Sequence, residues 1–460
     1  MLTLTKFKHL RGSVLKRIVL TLFFVITLTN CSGYQAKKSE FHEQFNLGYY
    51  TAAARVMLPS FNQDASKDDF ADEKFLFSLN AGTAFLFSHE YDLSTRFLDI
   101  SEAFMLNGET SGYDIKYYDK IMLSTYKALA YLHAGDLDNA KLEFNRAYSY
   151  QAEAVEENKK AISKSQEKIR EQGAKKSLAS ANSIINKQYN DFDNFKAYKD
   201  FTNPYTTYIS GLFFLNADGI SKSDRENGLN YLKRVQGMAP HNKFIKMDIA
   251  SGEKSVRGQN PPPTVWVIYE NGLVADVAKS TYTIPFYIPS GVKIAQINLP
   301  KLVPLSAAYS ELLISDGKNY TSTEPLADMD RVIKTEFQQR FPMEVTKAII
   351  WMTANLLAQE AAQQAIGTKK DHEQLLGALA AMAISQASNP VDTRTWTSLP
   401  KSVHIARINM PQNRTVKIYT NSHHQLSNDI VFDKDVKYAL IHVRVPMVGA
   451  IPSIGITKFR

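Results

Sequence analysis

The stretch that most constrains this chain is Gly252-Glu-Lys-Ser-Val-Arg-Gly-Gln-Asn-Pro-Pro-Pro263. Three successive prolines cannot continue a helix, and they stiffen the chain toward an extended form. The apolar periodicity changes across them. Before this stretch apolar residues recur at three and four; after it short β-branched and aromatic runs alternate. At roughly 100–200 residues per domain, 460 residues call for two or three domains. The expectation is an α+β multidomain chain: a helical domain over 41–252, a Pro-rich hinge over 253–263 and a strand domain over 264–460.

Charge and cysteine usage exclude several classes. The chain carries 54 Lys and Arg against 46 Asp and Glu, a net +8. Five of those bases (Lys6, Lys8, Arg11, Lys16 and Arg17) fall in residues 1–30, which hold no acid. Without them the remainder is 8 − 5 = +3, which is no nucleic-acid-binding surface. One cysteine rules out an internal disulfide and any cysteine-cluster metal site.

The basic start leads into an eleven-residue apolar run, Ile18–Leu28, and then Thr29-Asn30-Cys31-Ser32. Such a run is too short to span a bilayer as a helix, and it has the flanks of a secretory leader. With the lone cysteine at its end, it resembles a bacterial lipoprotein signal. Leu28 and Thr29 fit that pattern, while Asn30 stands where a smaller residue is usual. The resemblance implies a signal peptide over 1–30, an acylated Cys31 at the head of a tether over 31–40, and a membrane anchor. Ser32, in place of Asp, implies sorting to the periplasmic face of the outer membrane.

Residues 41–252 read as helical pairs. A signature recurs at Gly48, His89, Gly135 and, more weakly, near Arg225, at intervals of about 41, 46 and 88 residues where a regular array has 34. The best copy, Ala128 to Ala147, looks like a tetratricopeptide repeat. Ala128 lets two helices approach, Tyr131 fills the groove, Gly135 ends the first helix, Ala140 sits at the crossing, and Phe144 and Ala147 pack onto the next unit. Between 151 and 200, eighteen residues are charged, and an apolar helical stripe recurs at Leu178, Ala181, Ile185, Gln188, Phe192, Phe195 and Tyr198. A long solvated helical hairpin near 145–202 is expected, stopped by Asn203-Pro204.

Strand candidates follow the prolines: Val265–Tyr269, closed by a Glu270-Asn271-Gly272 turn, then Tyr282–Pro289, Val292–Leu299, Tyr309–Ile314, Trp396–Pro400, Val403–Met410, Thr415–Thr420, Asp429–Phe432 and Tyr438–Val445. Their rhythm is that of an antiparallel β-sandwich. A helical hairpin over 329–389 interrupts it, with its first helix broken at Pro342.

Several runs coincide with one pattern: Asn203-Pro204-Tyr205, Val267-Ile268-Tyr269-Glu270-Asn271-Gly272, Arg340-Phe341-Pro342 and Asp392-Thr393-Arg394-Thr395-Trp396. Together they resemble a family of poorly characterised Gram-negative outer-membrane lipoproteins with tetratricopeptide-like amino-terminal halves. The likeness spans about 41–445. Members are often encoded near a lipoprotein that activates penicillin-binding proteins, which implies envelope assembly; the family brings no catalytic residues with it. Read physically, Asp392, Arg394 and Trp396 share one face of an extended chain. An Asp–Arg pair over the indole would pin the helix-to-strand junction.

No phosphate loop, dinucleotide fingerprint, zinc-protease helix or nucleophile elbow occurs. The adjacent His423 and His424 diverge in an extended chain and make a poor metal site. The expectation is a lipid-anchored periplasmic scaffold without cofactor, metal or nucleic acid, whose helical groove binds other envelope proteins. The alternatives are an enzyme acting on cell-wall or surface glycan, which needs converging carboxylates, and a glycan- or lipid-binding sandwich, which needs exposed tryptophans such as Trp266, Trp351 or Trp396.

Overall fold

The computed structural model describes residues 35–58, 73–110, 112–171, 175–188, 203–367 and 391–459. Cys31, the stripe beyond Gln188 and the second helix of the 329–389 insertion lie outside them. The chain is α+β. Helices α1 (35–46), α2 (Tyr50–Met57), α3 (Lys74–Phe87), α4 (Tyr91–Asn107), α5 (Tyr117–Ala134), α6 (Leu137–Glu171), α7 (Lys175–Gln188), α8 (Pro204–Asn216), α9 (Lys222–Met238) and α10 (Lys243–Val256) precede the first strand. Strands β1 (Thr264–Asn271), β2 (Asp276–Ile288), β3 (Gly291–Val303), β4 (Leu312–Ser315), β5 (Tyr320–Ser322) and β6 (Glu324–Asp328) lead to α11 (Met329–Gly367). After it come β7 (Ser402–Asn409), β8 (Thr415–Thr420), β9 (Ile430–Val431), β10 (Tyr438–Val445) and β11 (Ser453–Phe459).

The helices pack in consecutive pairs, α3 with α4, α5 with α6 and α8 with α9. Gly135 takes φ +84° and caps α5 where a side chain would be strained. Ala128, Ala140, Phe144 and Ala147 are fully buried, and Tyr131 is partly buried against the core. The Phe144 ring lies 5.1 Å from Phe213 of α8. A buried lysine ties three helices: Lys127 of α5 reaches Asp99 (2.8 Å) and Glu102 (2.7 Å) on α4 and Glu143 (2.9 Å) on α6.

Asn203-Pro204 starts a helix instead of stopping one. The Asn203 side chain accepts from the amides of Tyr205 and Thr206, and Pro204 takes the first helical position, where its missing N–H costs nothing. Pro342 does not break α11, which runs unbroken through it. Both Pro342 and Gln338, whose carbonyl loses its donor, are exposed to water.

The strands form a five-stranded sheet in the order β11-β10-β1-β7-β6, a β2–β3 hairpin and a four-stranded sheet in the order β5-β4-β8-β9. The expected all-antiparallel arrangement fails at one place, where β10 lies parallel to β1, Thr264 opposite Tyr438. Trp396–Pro400 forms a turn and no strand, and β5, β6 and β11 were not marked by alternation. The Glu270-Asn271 pair belongs to β1, with only Gly272 in the turn.

One hydrophobic core runs from Phe41 to Phe459. It joins the helices to the five-stranded sheet through Trp266 and Ile268, and to the four-stranded sheet through Leu312, Ile314, Val416 and Ile418. The expected hinge at 253–263 therefore overlaps the end of α10, and the chain on both sides buries residues in this one core. A second, smaller core gathers Ala181 and Ile185 of α7, Ile284 and Phe286 of β2, Ile297 and Leu299 of β3, and Val345 and Ile349 of α11. The charged segment is thus no free-standing hairpin, because α7 covers β2 and α11.

Leu47 and Gly48 turn the chain between α1 and α2 against the β10–β11 loop. Gly48 has φ +84°, and a Cβ there would lie 2.1 Å from the Ile451 carbonyl. Gly48→Ala is expected to cost roughly 2–3 kcal/mol. A thermal melt unchanged from wild type would show that this loop does not pack on the turn.

Candidate functional site

Alternation on β1 sends Trp266, Ile268 and Glu270 to the helices and Val267 and Tyr269 to the opposite face. The inner helices meet the sheet directly, and their groove is filled by it. In α8, all residues from Pro204 to Leu215 are buried, as are all from Phe75 to Phe87 in α3. The expectation of a peptide groove on these inner faces is therefore corrected: the protein's own sheet occupies them.

This interface is polar and internally paired. Glu270, wholly buried, accepts from Tyr205 Oη (2.7 Å) and His442 Nε2 (2.8 Å) at Oε1, and from Tyr126 Oη (2.8 Å) at Oε2. Burial alone would raise its pKa, but His442, Arg444 and Tyr205 outweigh burial and hold the carboxyl below its ordinary value. Burial and then Glu270 push the Tyr126 and Tyr205 hydroxyls well up. Arg444 donates to the carbonyls of Gly272 (2.6 Å), Glu270 (3.2 Å) and Ser398 (3.2 Å), and it lies over the rings of Phe45 and Phe87. His442 stacks on His133 at 5.5 Å.

A second carboxylate, Asp248 of α10, binds Trp266 Nε1 (2.7 Å), Tyr208 Oη (2.8 Å) and Arg407 Nε (2.9 Å). Burial lifts its pKa to about 6 against these donors. Both networks join strand residues to helix residues, which is the work of an interface. The sequence signal for them was an acid inside an apolar strand run, Val265 to Asn271.

The junction residues lie close together but not as expected. Arg394 pairs with Asp392 (2.8 Å) and also with Glu73 (3.0 Å), and its guanidinium sits over Tyr113 at 5.8 Å, not over the indole. Trp396 is fully buried elsewhere, edge-on to Tyr126, with Nε1 shared by Ser398 (2.9 Å) and Thr83 (3.1 Å). Trp266 is buried too and Trp351 is half-buried, so two of the three tryptophans offer no sugar platform.

The Asp392–Arg394 pair borders an open cavity of about 740 Å³, which α11 also lines through Glu336, Arg340 and Phe341. Two runs far apart in sequence, Arg340-Phe341 and Asp392-Thr393-Arg394, thus meet at one place. Val277, Pro300, Leu302, Ile333 and Phe337 complete the apolar wall. Lys116, Lys279, Lys347, Arg340 and Arg394 face Glu73, Asp114, Glu336, Glu344 and Asp392, so the lining is formally neutral.

The cavity acids are committed. Glu336 accepts from the first amides of α5, Tyr117 N (2.8 Å) and Tyr118 N (3.1 Å), and pairs with Arg340 (3.0 Å), which in turn pairs with Asp114 (2.8 Å). It caps a helix from 218 or more residues away. Burial raises its pKa, opposed first by Arg340. Behind it, burial lifts Asp119 to about 7 even with Lys116 N and Tyr113 Oη on Oδ2.

Among the described residues no three His, Cys, Asp or Glu side chains stand where they could hold a metal ion. His423 packs its ring on Tyr320 at 5.4 Å. No described helix is long and apolar enough to cross a membrane. Comparisons with protein-family models, curated proteins and solved structures find no match to this chain.

Proposed function

We propose that this is a lipid-anchored protein of the outer membrane's periplasmic face, acting by binding envelope components and not by catalysis. In this reading the pairs α3–α4, α5–α6 and α8–α9 are degenerate tetratricopeptide-like units, and the two larger sheets form a sandwich against which they are sealed. The observation that carries the reading is the cavity between the two cores. It is open and apolar-walled, and its charges pair with one another. That chemistry suits holding a ligand or a partner segment. A glycan-cleaving reading needs two carboxylates free to exchange protons, whereas Glu336 spends both oxygens on the amino end of α5.

Because the sheet fills the inner helical faces, partners meet the outer helices and the cavity rim. Cys31 is the acylation point. Cys31→Ala is expected to abolish metabolic fatty-acid labelling and to remove most in-cell crosslinks to envelope proteins, read by mass spectrometry. Labelling that persists in the variant would overturn the anchor, and turnover of a glycan by the purified protein would overturn the non-catalytic assignment.

A further inference from the structure

We propose that the cavity between the two cores takes a long-chain acyl group. The proposal deepens the binding reading above by naming its ligand class, and it rests on that reading. The wall supplies Val277 and Leu302 from the β2–β3 hairpin, and Ile333, Phe337 and Phe341 from one stripe of α11. Phe337 and Phe341 stack at 5.7 Å one helical turn apart, forming a continuous apolar strip. Opposite charges in the lining cancel as ion pairs, Arg340 with Glu336 and Arg394 with Glu73. A strongly charged ligand would have to break these pairs, whereas an apolar chain enters without disturbing them. The volume, about 740 Å³, falls within the roughly 300–1,000 Å³ of sites for small molecules.

Position points to the same ligand. Gln35 at the start of α1 lines the cavity, and Cys31 precedes it by four residues. Four residues reach at most about 14 Å. An anchor at Cys31 therefore holds the cavity mouth at the lipid surface. The acyl group can come from a bilayer phospholipid or from the chain's own Cys31, and the chemistry of the wall is the same for both.

The test uses the full-length protein in vesicles of phosphatidylethanolamine and phosphatidylglycerol. These carry a trace of phospholipid with a diazirine at the end of one palmitoyl chain. After irradiation, adducts are mapped by mass spectrometry. Expected are adducts on the peptides bearing Leu302 and Ile333 to Phe341. If they form in both wild type and Cys31→Ala, a bilayer lipid is the occupant. If they form only in Cys31→Ala, the protein's own chain fills the site in the wild type. Phe341→Asp should lower adduct yield there about tenfold, because a carboxylate must be desolvated for the chain to enter.

A second readout needs no variant. Palmitate should compete with the probe and octanoate should not, since each buried methylene strengthens binding about fourfold. Adducts absent from those peptides in both proteins, or equal competition by the two acids, would overturn the proposal. The two readings fail separately: fatty-acid labelling that persists in Cys31→Ala removes the anchor, while missing cavity adducts remove only the acyl site.

Discussion

Glu270→Leu is expected to cost about 3–5 kcal/mol of folding stability, because it leaves a buried guanidinium without its counter-charge. Arg444 is wholly buried, with its Nε 3.9 Å from Glu270 Oε2. Its hydrogen bonds go to the backbone carbonyls of Glu270, Gly272 and Ser398, and it lies over the rings of Phe45 and Phe87, none of which carries a net charge. The same substitution strips the acceptor from the Tyr126 and Tyr205 hydroxyls, both at zero exposure. Each buried hydroxyl left unpaired adds about 1–3 kcal/mol in isolation, though losses within one network do not add.

Urea denaturation measures the effect. Glu270→Gln, which keeps an acceptor and loses the charge, should fall between wild type and Glu270→Leu. Adding Arg444→Met to Glu270→Leu should recover part of the loss, since a buried pair replaced by apolar groups is often neutral. A loss under about 1 kcal/mol for Glu270→Leu would mean that the helices and the sheet do not meet through this carboxylate.

That interface was the part of the fold least legible in the sequence. Strands β8 and β10 could be read to the residue, Thr415–Thr420 and Tyr438–Val445, because alternation and β-branching are local signals. Ala128 and Ala140, singled out through the likeness to a tetratricopeptide repeat, are both buried in helices that pack as a pair, α5 and α6. Glu270 and Asn271 looked like a turn because acid-Asn-Gly is turn chemistry. Their strand conformation is imposed by partners far off in the chain, β7 on one side and β10 on the other. His442 and Arg444 alternate with apolar residues in β10 and would pass for a solvated face. The tyrosines of α5 and α8, with Phe45, Phe87 and His133, make that face an interior.

The junction shows the same division. The Asp392–Arg394 pair could be read from a spacing of two. Glu73 and Tyr113, which complete the arginine's surroundings, lie outside any local window. The cavity was illegible for the same reason. It is assembled from the start of α1, the approach to α5, the β2–β3 hairpin, α11 and the junction. The charged stretch before Gln188 misled differently. Its apolar stripe through Leu178, Ala181 and Ile185 was legible, but a projecting hairpin was expected, and nothing local told that α7 lays that stripe on β2 and α11.

A sheet buried on both faces also makes acid sensitivity specific. His404 of β7 lies on the face turned away from the helices, 7% exposed, with its ring 5.7 Å from Tyr269. Nε2 meets Ser402 Oγ at 3.1 Å, and Nδ1 has no hydrogen-bond partner. Burial lowers its pKa from 6.5 to about 4. The folded state therefore favours the neutral ring. Stability from this residue is complete above pH 6.5 and is lost as pH falls from 6.5 toward about 4, because the unfolded chain takes up the proton first. The loss amounts to ~2 kcal/mol between pH 7 and pH 5 and ~3 kcal/mol in full.

Whole-protein stability curves would blur this. His42, lowered to about 4, pulls the same way, while Asp119 and Asp248, raised to about 7 and about 6, contribute stability that is lost as pH rises. The difference between wild type and His404→Gln isolates the one residue. Glutamine fills similar space and does not titrate, so the stability of wild type relative to the variant should fall by ~2 kcal/mol on going from pH 7 to pH 5. A difference that stays constant over that range would place the His404 ring in water and contradict the burial of that face of β7.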